Sequence, residues 1–200
     1  MSQIRNICVY CGSGPGRDPD FVVAARKFGK ILADNRIGLV YGGGSVGLMG
    51  EIANAVLDNG GHITGIIPDF LANREHMIHR GEVIRTANMH ERKQKMFEHA
   101  DAFVALPGGV GTLEEVVEQM TWVQLGRHKK PVLLANIKAF WEPLRALLAH
   151  MEELNFIRPG LSVDYLVADR IEDVLPTLMD AAAETGEPDK AMAPDVAGRL

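Results

Sequence analysis

Ile37-Gly38-Leu39-Val40-Tyr41-Gly42-Gly43-Gly44-Ser45-Val46-Gly47, running on through Leu48 to Asn59, sets a strand, a glycine turn and a helix in direct succession. Ile37 to Tyr41 is apolar without alternation, as expected of a strand covered on both faces. Glycines then let the chain turn sharply, and helical spacing resumes from about Gly47. The same unit recurs along the chain. Ile7 to Tyr10 reads as a strand before a helix over Phe21 to Asn35. His62 to Ile67 reads as a third strand and Glu82 to Arg85 as a short one. Met89 to His99 is helical, Ala102 to Leu106 a strand, and Gly111 to Leu125 a helix. Pro131 to Ala135 and Phe140 to Leu154 repeat the pattern, and Leu166 to Ala168 is an edge strand before a last helix over Ile171 to Ala183.

Continuous apolar strands alternating with amphipathic helices imply a parallel sheet with helices on both faces. The expectation is one α/β domain, doubly wound and Rossmann-like with a mostly parallel sheet, over residues 1–185. Residues 186–200 are polar and rich in Pro and Gly, so a loose tail is expected there. The polar stretch from Asp69 to Arg80, with His76 and His79, reads as a loop or short helix beside a site.

Composition narrows the function classes. The 200 residues are 46% hydrophobic and 24% charged, ordinary for a globular chain, and carry a net charge of −5. That balance argues against nucleic acid as partner, because such domains are usually basic. No apolar run reaches membrane-spanning length, and the opening residues show no signal-peptide pattern. Two cysteines and no export signal make a reducing cytoplasm the expected compartment.

Three predicted strands end in glycine-rich turns: Cys11-Gly12-Ser13-Gly14-Pro15-Gly16, Gly42 to Gly47, and Pro107-Gly108-Gly109-Val110-Gly111-Thr112. In a parallel sheet such turns share the edge at the strands' carboxyl ends, where ligands bind at the topological switch point. Absent side chains let backbone approach a phosphate, and the following helix favours its charge. One such turn can be only a turn; three on one edge point to an anionic ligand.

Other readings of these residues are weaker. Gly42, Gly44 and Gly47 with Asp69 fit a dinucleotide fingerprint, but the turn follows the second strand and Asp69 comes after Pro68. Gly43 to Gly47 also fits a nucleophile elbow, yet His128 and His150 offer no clear catalytic loop, so Ser45 is expected to be a cap or ligand contact. Cys8 and Cys11 point to opposite faces of a strand, and no second pair completes a zinc site. His76 and His79 lack a carboxylate third ligand, and there is no P-loop lysine. Trp122 and Trp141 read as core or interface residues.

The charged residues beside the third turn carry the best chemistry. Glu114 and Glu115 lie in the first turn of the helix after Thr112, where either could simply complement the helix dipole. Only one of two adjacent residues can point into the crevice. Arg92 and Lys93 open another helix, where cations oppose the dipole unless an anion compensates.

Several segments resemble one family. Pro107 to Glu115 resembles the PGGxGTxxE signature of the LOG (LONELY GUY) family, cytokinin riboside 5′-monophosphate phosphoribohydrolases formerly labelled possible lysine decarboxylases. Met89-His90-Glu91-Arg92-Lys93 resembles its Met-x-x-Arg-Lys segment. Cys11-Gly12-Ser13, Tyr41 to Gly50, Met120 to Gly126 and Lys129-Lys130-Pro131 match as well.

The resemblance implies a hydrolase that splits the N-glycosidic bond of a cytokinin-type or adenosine monophosphate, with no metal or redox cofactor. It implies Arg92 and Glu115 as the catalytic pair, and Lys93, Gly108, Gly109, Val110, Gly111, Thr112 and Thr121 as nucleotide contacts. Gly12, Ser13, Gly43, Gly44, Ser45 and Glu114 complete the candidate substrate site. Glu75 is the candidate for a further family glutamate. A homodimer is also implied, with Met120 to Val123 offering apolar surface at a helix end. A pyridoxal lysine and phosphate cup, which a decarboxylase would need, are not singled out. The other readings to be separated are a nucleotide carrier or sensor without catalysis, and an AMP nucleosidase in purine salvage.

Overall fold

The computed structural model describes residues 4–72, 80–158 and 162–185. Seven strands form one sheet: β1 (Asn6–Tyr10), β2 (Gly38–Tyr41), β3 (Ile63–Pro68), β4 (Glu82–Thr86), β5 (Ala102–Ala105), β6 (Val132–Ala135) and β7 (Leu166–Ala168). Their order is β4-β3-β2-β1-β5-β6-β7, and every pairing is parallel. The expected short strand at Glu82 to Arg85 is therefore an edge strand, in register with β3 from Thr64↔Glu82 to Pro68↔Thr86. Winding runs outward from β1 in one direction and from β5 in the other. The switch point lies between them, where the first and third glycine turns emerge.

Helices cover both faces. They are α1 (Pro19–Asp34), α2 (Gly47–Asp58), a short α3 (Asp69–Ala72), α4 (Met89–His99), α5 (Val110–Gln124), α6 (Glu142–Glu153) and α7 (Ile171–Thr185), with a 3-10 turn at Ile137–Ala139. Helix α1 begins earlier than its apolar pattern suggested, because the Asp18 side chain accepts from Asp20 N–H and Pro19 starts the first turn. Two apolar clusters fill the layers. One joins α1, α2 and α7 to the sheet through Phe28, Leu32, Ile52, Val56, Val174 and Leu178. The other joins α4 and α5 through Met96, Val116 and Met120 to Tyr10, Phe103 and Leu134.

Cys8 belongs to one cluster and Cys11 to the other, on opposite faces as their spacing required. Both thiols are free and buried, and burial pushes both well above the usual thiol range. No helix among the described residues is long and apolar enough to cross a membrane. Residues 186–200, the expected tail, lie outside the described residues, as do His76, His79 and the candidate Glu75.

Candidate functional site

The three glycine turns interlock at the carboxyl edge. Gly12 N–H donates to the Pro107 carbonyl at 3.1 Å, which ties the first turn to the third. The Gly12 carbonyl accepts from Leu48 N–H at 3.0 Å, which ties it to the start of α2. Gly47 has φ +59°, and a side chain there would strike the Ser13 peptide, so glycine is required by conformation and by space.

This arrangement redistributes the roles expected of the turns. The first amides of α2 are spent on the Gly12 carbonyl, and Gly43 packs against Ile67. Ser45 is not a cap: the N-cap of α2 is Val46, which makes no side-chain capping bond. Helix α5 begins after Gly109, which has no side chain to cap it, and Gly109, Val110 and Gly111 are exposed. Its opening N–H groups face solvent at the switch point, the arrangement that accepts an anion. Thr112 is buried beneath the turn, its hydroxyl close against Gly108, so it shapes the turn rather than lining its mouth.

Two ion pairs bridge α4 and α5 beside that edge. Asn88 caps α4 by accepting from Glu91 N–H at 2.9 Å, which fixes where Arg92 and Lys93 leave the helix. Arg92 Nη1 donates to Glu115 Oε1 at 2.7 Å, and its Nε donates to the Ile66 carbonyl at 3.1 Å. Both side chains are only 10% exposed. Lys93 Nζ donates to Glu114 at 2.6 Å and to Glu118 at 2.9 Å. The cations that seemed misplaced at a helix start thus meet carboxylates from the next helix.

Adjacent Glu114 and Glu115 therefore do different things. Glu115 is buried against Arg92, while Glu114 is half exposed and held by Lys93. Burial raises the proton affinity of Glu115 above the usual carboxylate value, with the Arg92 guanidinium opposing it. Burial depresses Lys93, but its hydrogen bonds to Glu114 and Glu118 more than offset this and keep it charged.

Arg92, Glu115, Lys93, Glu114 and the turn Gly108–Thr112 converge, with Gly12, Gly43, Gly44 and Ser45 on adjoining turns. Thr121 shares no hydrogen bond with them. It lies near the far end of α5, exposed, with its hydroxyl donating to the Val117 carbonyl at 2.8 Å. Sequence reasoning also passed over Gly42 and the Ile66 carbonyl, which meet Arg92 only once β2 and β3 are placed side by side.

Residues 49–178 match the family model described as "Possible lysine decarboxylase". The chain is 48% identical over 169 residues to the cytokinin riboside 5′-monophosphate phosphoribohydrolase LOG of Oryza sativa subsp. japonica, covering 84% of this chain and 66% of that one. It is also 48% identical to LOG7 of Arabidopsis thaliana, over 79% of this chain and 73% of that one. The chain belongs to the LOG family. Solved structures extend the likeness at the level of fold. The LOG-family chain superposes on the molybdenum cofactor binding protein of Rippkaea orientalis with TM-score 0.67 at 21% identity, over 90% of this chain and 98% of that one. The Moco carrier protein of Chlamydomonas reinhardtii gives 0.65 at 21%, over 91% and 99%.

Proposed function

We propose that the site around Arg92 and Glu115 hydrolyses the N-glycosidic bond of a nucleoside 5′-monophosphate, cytokinin riboside monophosphate or AMP, to free base and ribose 5-phosphate. The observation that carries this reading is a buried Arg–Glu pair at the switch point, beside an uncapped helix start, in a chain 48% identical to named phosphoribohydrolases.

As the bond from C1′ to the base nitrogen breaks, its electron pair leaves with the base and positive charge builds on the ribose. Water oxygen forms the new bond to C1′, and the departing base takes up a proton. Glu115 is the fixed carboxylate that holds ribose hydroxyls, orients that water and stabilises the growing charge in this reading. A partly dehydrated carboxylate suits this role because its charge is poorly screened. Arg92 uses one donor on Ile66 and one on Glu115, leaving the rest of its fork for an anion. The open amides of α5 and Lys93 supply further positive potential for the 5′-phosphate.

We also propose a homodimer built on α5. The expected apolar segment is not the surface concerned, since Met120 is buried and Trp122 stacks under Arg127. The exposed face is instead Val110, Leu113, Val117 and Leu125, which share one side of the helix. Sedimentation at micromolar concentration should show a species of twice 21.9 kDa, and the monomer alone would contradict the dimer.

The activity is tested with AMP, isopentenyladenosine monophosphate and their nucleosides, resolving base, nucleoside and ribose 5-phosphate by chromatography. Base and ribose 5-phosphate should form from the monophosphates while the nucleosides stay intact. Equal turnover of adenosine and AMP would overturn the phosphate-dependent pocket, and binding without any cleavage would leave a carrier.

A further inference from the structure

Arg92 crosses the carboxyl ends of β2 and β3 to reach Glu115. Its guanidinium has a fixed planar geometry, so the bonds from Nε to the Ile66 carbonyl and from Nη1 to Glu115 determine where Nη2 lies. It lies over Gly42. A methyl group on Gly42 would stand 2.6 Å from Nη2 and 3.1 Å from the Met49 sulfur. The Gly42 backbone is not in the left-handed region, unlike its neighbour Gly43 at φ +83°. Glycine is therefore demanded at 42 by space alone.

We propose that Gly42 is a positioning residue for the reaction, its missing side chain forming the seat on which the Arg92 guanidinium rests. The proposal rests on the reading of Arg92 and Glu115 as the catalytic pair. Its force comes from what would give way. A side chain at Gly50 would strike the Ser45 backbone, so the fold itself would have to move. At Gly42 the obstacles are the ends of two long side chains, Met49 and Arg92. Met49 can repack cheaply. Arg92 can also move, but its guanidinium is rigid, so the displacement that frees Nη2 pulls Nε from Ile66 and Nη1 from Glu115 together. The cost of a methyl group thus falls on the catalytic geometry and hardly on the fold. Glu115 would lose its counter-charge while staying buried, so its proton affinity would rise further.

The experiment compares wild type, Gly42→Ala, Arg92→Lys and the double variant on AMP and isopentenyladenosine monophosphate. Gly42→Ala should melt within a few degrees of wild type and lose about 10- to 100-fold in kcat/KM, the scale of a misplaced catalytic group. Its acidic limb in the kcat/KM–pH profile should move to higher pH, which a purely structural defect would not cause. With Lys at 92 the Nη2 clash is gone, so adding Gly42→Ala should cost less than about threefold, within ordinary additivity error. Selective 15N labelling of arginine gives a readout apart from activity: the Arg92 Nε–H resonance should be protected from exchange in wild type and lose protection in Gly42→Ala. Full activity in Gly42→Ala, an unmoved acidic limb, equal losses in both backgrounds, or an unchanged Nε–H resonance would each overturn the proposal. A wild-type chain inert towards both monophosphates would sink the hydrolase reading instead, and the resonance would still decide whether Gly42 seats Arg92.

Discussion

The helices on the two faces of the sheet both pack through apolar clusters but differ in what else they bury. The layer of α1, α2 and α7 meets the sheet through Phe28, Leu32, Ile52, Val56 and Leu178, with no charged side chain among the described residues buried in it. The layer of α4 and α5 encloses Arg92, Glu115, Gln119 and His128 as well as Met96, Val116 and Met120. Buried charge is costly unless paired, and a buried amide is costly unless hydrogen-bonded. One layer is thus organised for stability. The other accepts unfavourable burial to hold the Arg92–Glu115 pair at the switch point, as functional sites commonly do.

Each layer can be perturbed on its own. The largest stability effect is expected on the apolar face, where Phe28 is fully buried. Phe28→Ala should cost about 3–5 kcal/mol in urea unfolding, while the folded fraction keeps wild-type kcat. A loss of activity per folded molecule would show that the two layers are not separable.

A smaller effect of opposite sign is expected between α4 and α5. Gln119 is 0% exposed, and neither its amide oxygen nor its nitrogen has a hydrogen-bond partner among the described residues. Gln119→Leu removes that cost and should raise the unfolding free energy by about 1–3 kcal/mol. Destabilisation would mean that the amide is satisfied, for instance by enclosed water.

A third effect concerns acid. His128 is buried among Phe97, Phe103 and Trp122, and its Nδ1 accepts from Lys130 N–H at 3.1 Å. Burial, with Lys130 and Arg127 nearby, holds its pKa down to about 4 from the usual 6.5. The unfolded chain therefore binds this proton first, and stability is present above pH 6.5 and lost as pH falls towards 4. His128→Asn keeps an acceptor for Lys130 without the titration. Its melting temperature should fall less than that of wild type over this interval, and parallel profiles would contradict the assignment.

The sequence made the layers legible because unbroken apolar strands alternate with helices of regular amphipathic spacing, and glycine turns marked one edge. Strand order was not legible. It is set by packing between distant segments, so the contacts that depend on which strands are neighbours were not legible. Gly42 reads as one more turn glycine until β2 lies beside β3 and Arg92 crosses it. Lys93 reads as a misplaced cation until Glu114 and Glu118 arrive from α5. Thr121 matched a family motif, and its hydroxyl bonds within α5 to the Val117 carbonyl. Helix position alone left Glu114 and Glu115 equivalent; the family signature singled out Glu115, and the geometry shows the physical difference between them.

That distinction also gives the most direct test of the account. Glu115→Gln keeps the shape and an acceptor for Arg92 but removes the charge, whereas Glu98→Gln changes an exposed carboxylate at the far end of α4. Turnover of AMP and its dissociation constant are measured for both, with thermal melting to verify folding. Glu115→Gln should bind AMP within a few-fold of wild type yet lose about 10²–10⁴-fold in kcat, while Glu98→Gln should retain wild-type turnover. Wild-type kcat in folded Glu115→Gln would contradict the central claim that this buried carboxylate acts on the breaking glycosidic bond.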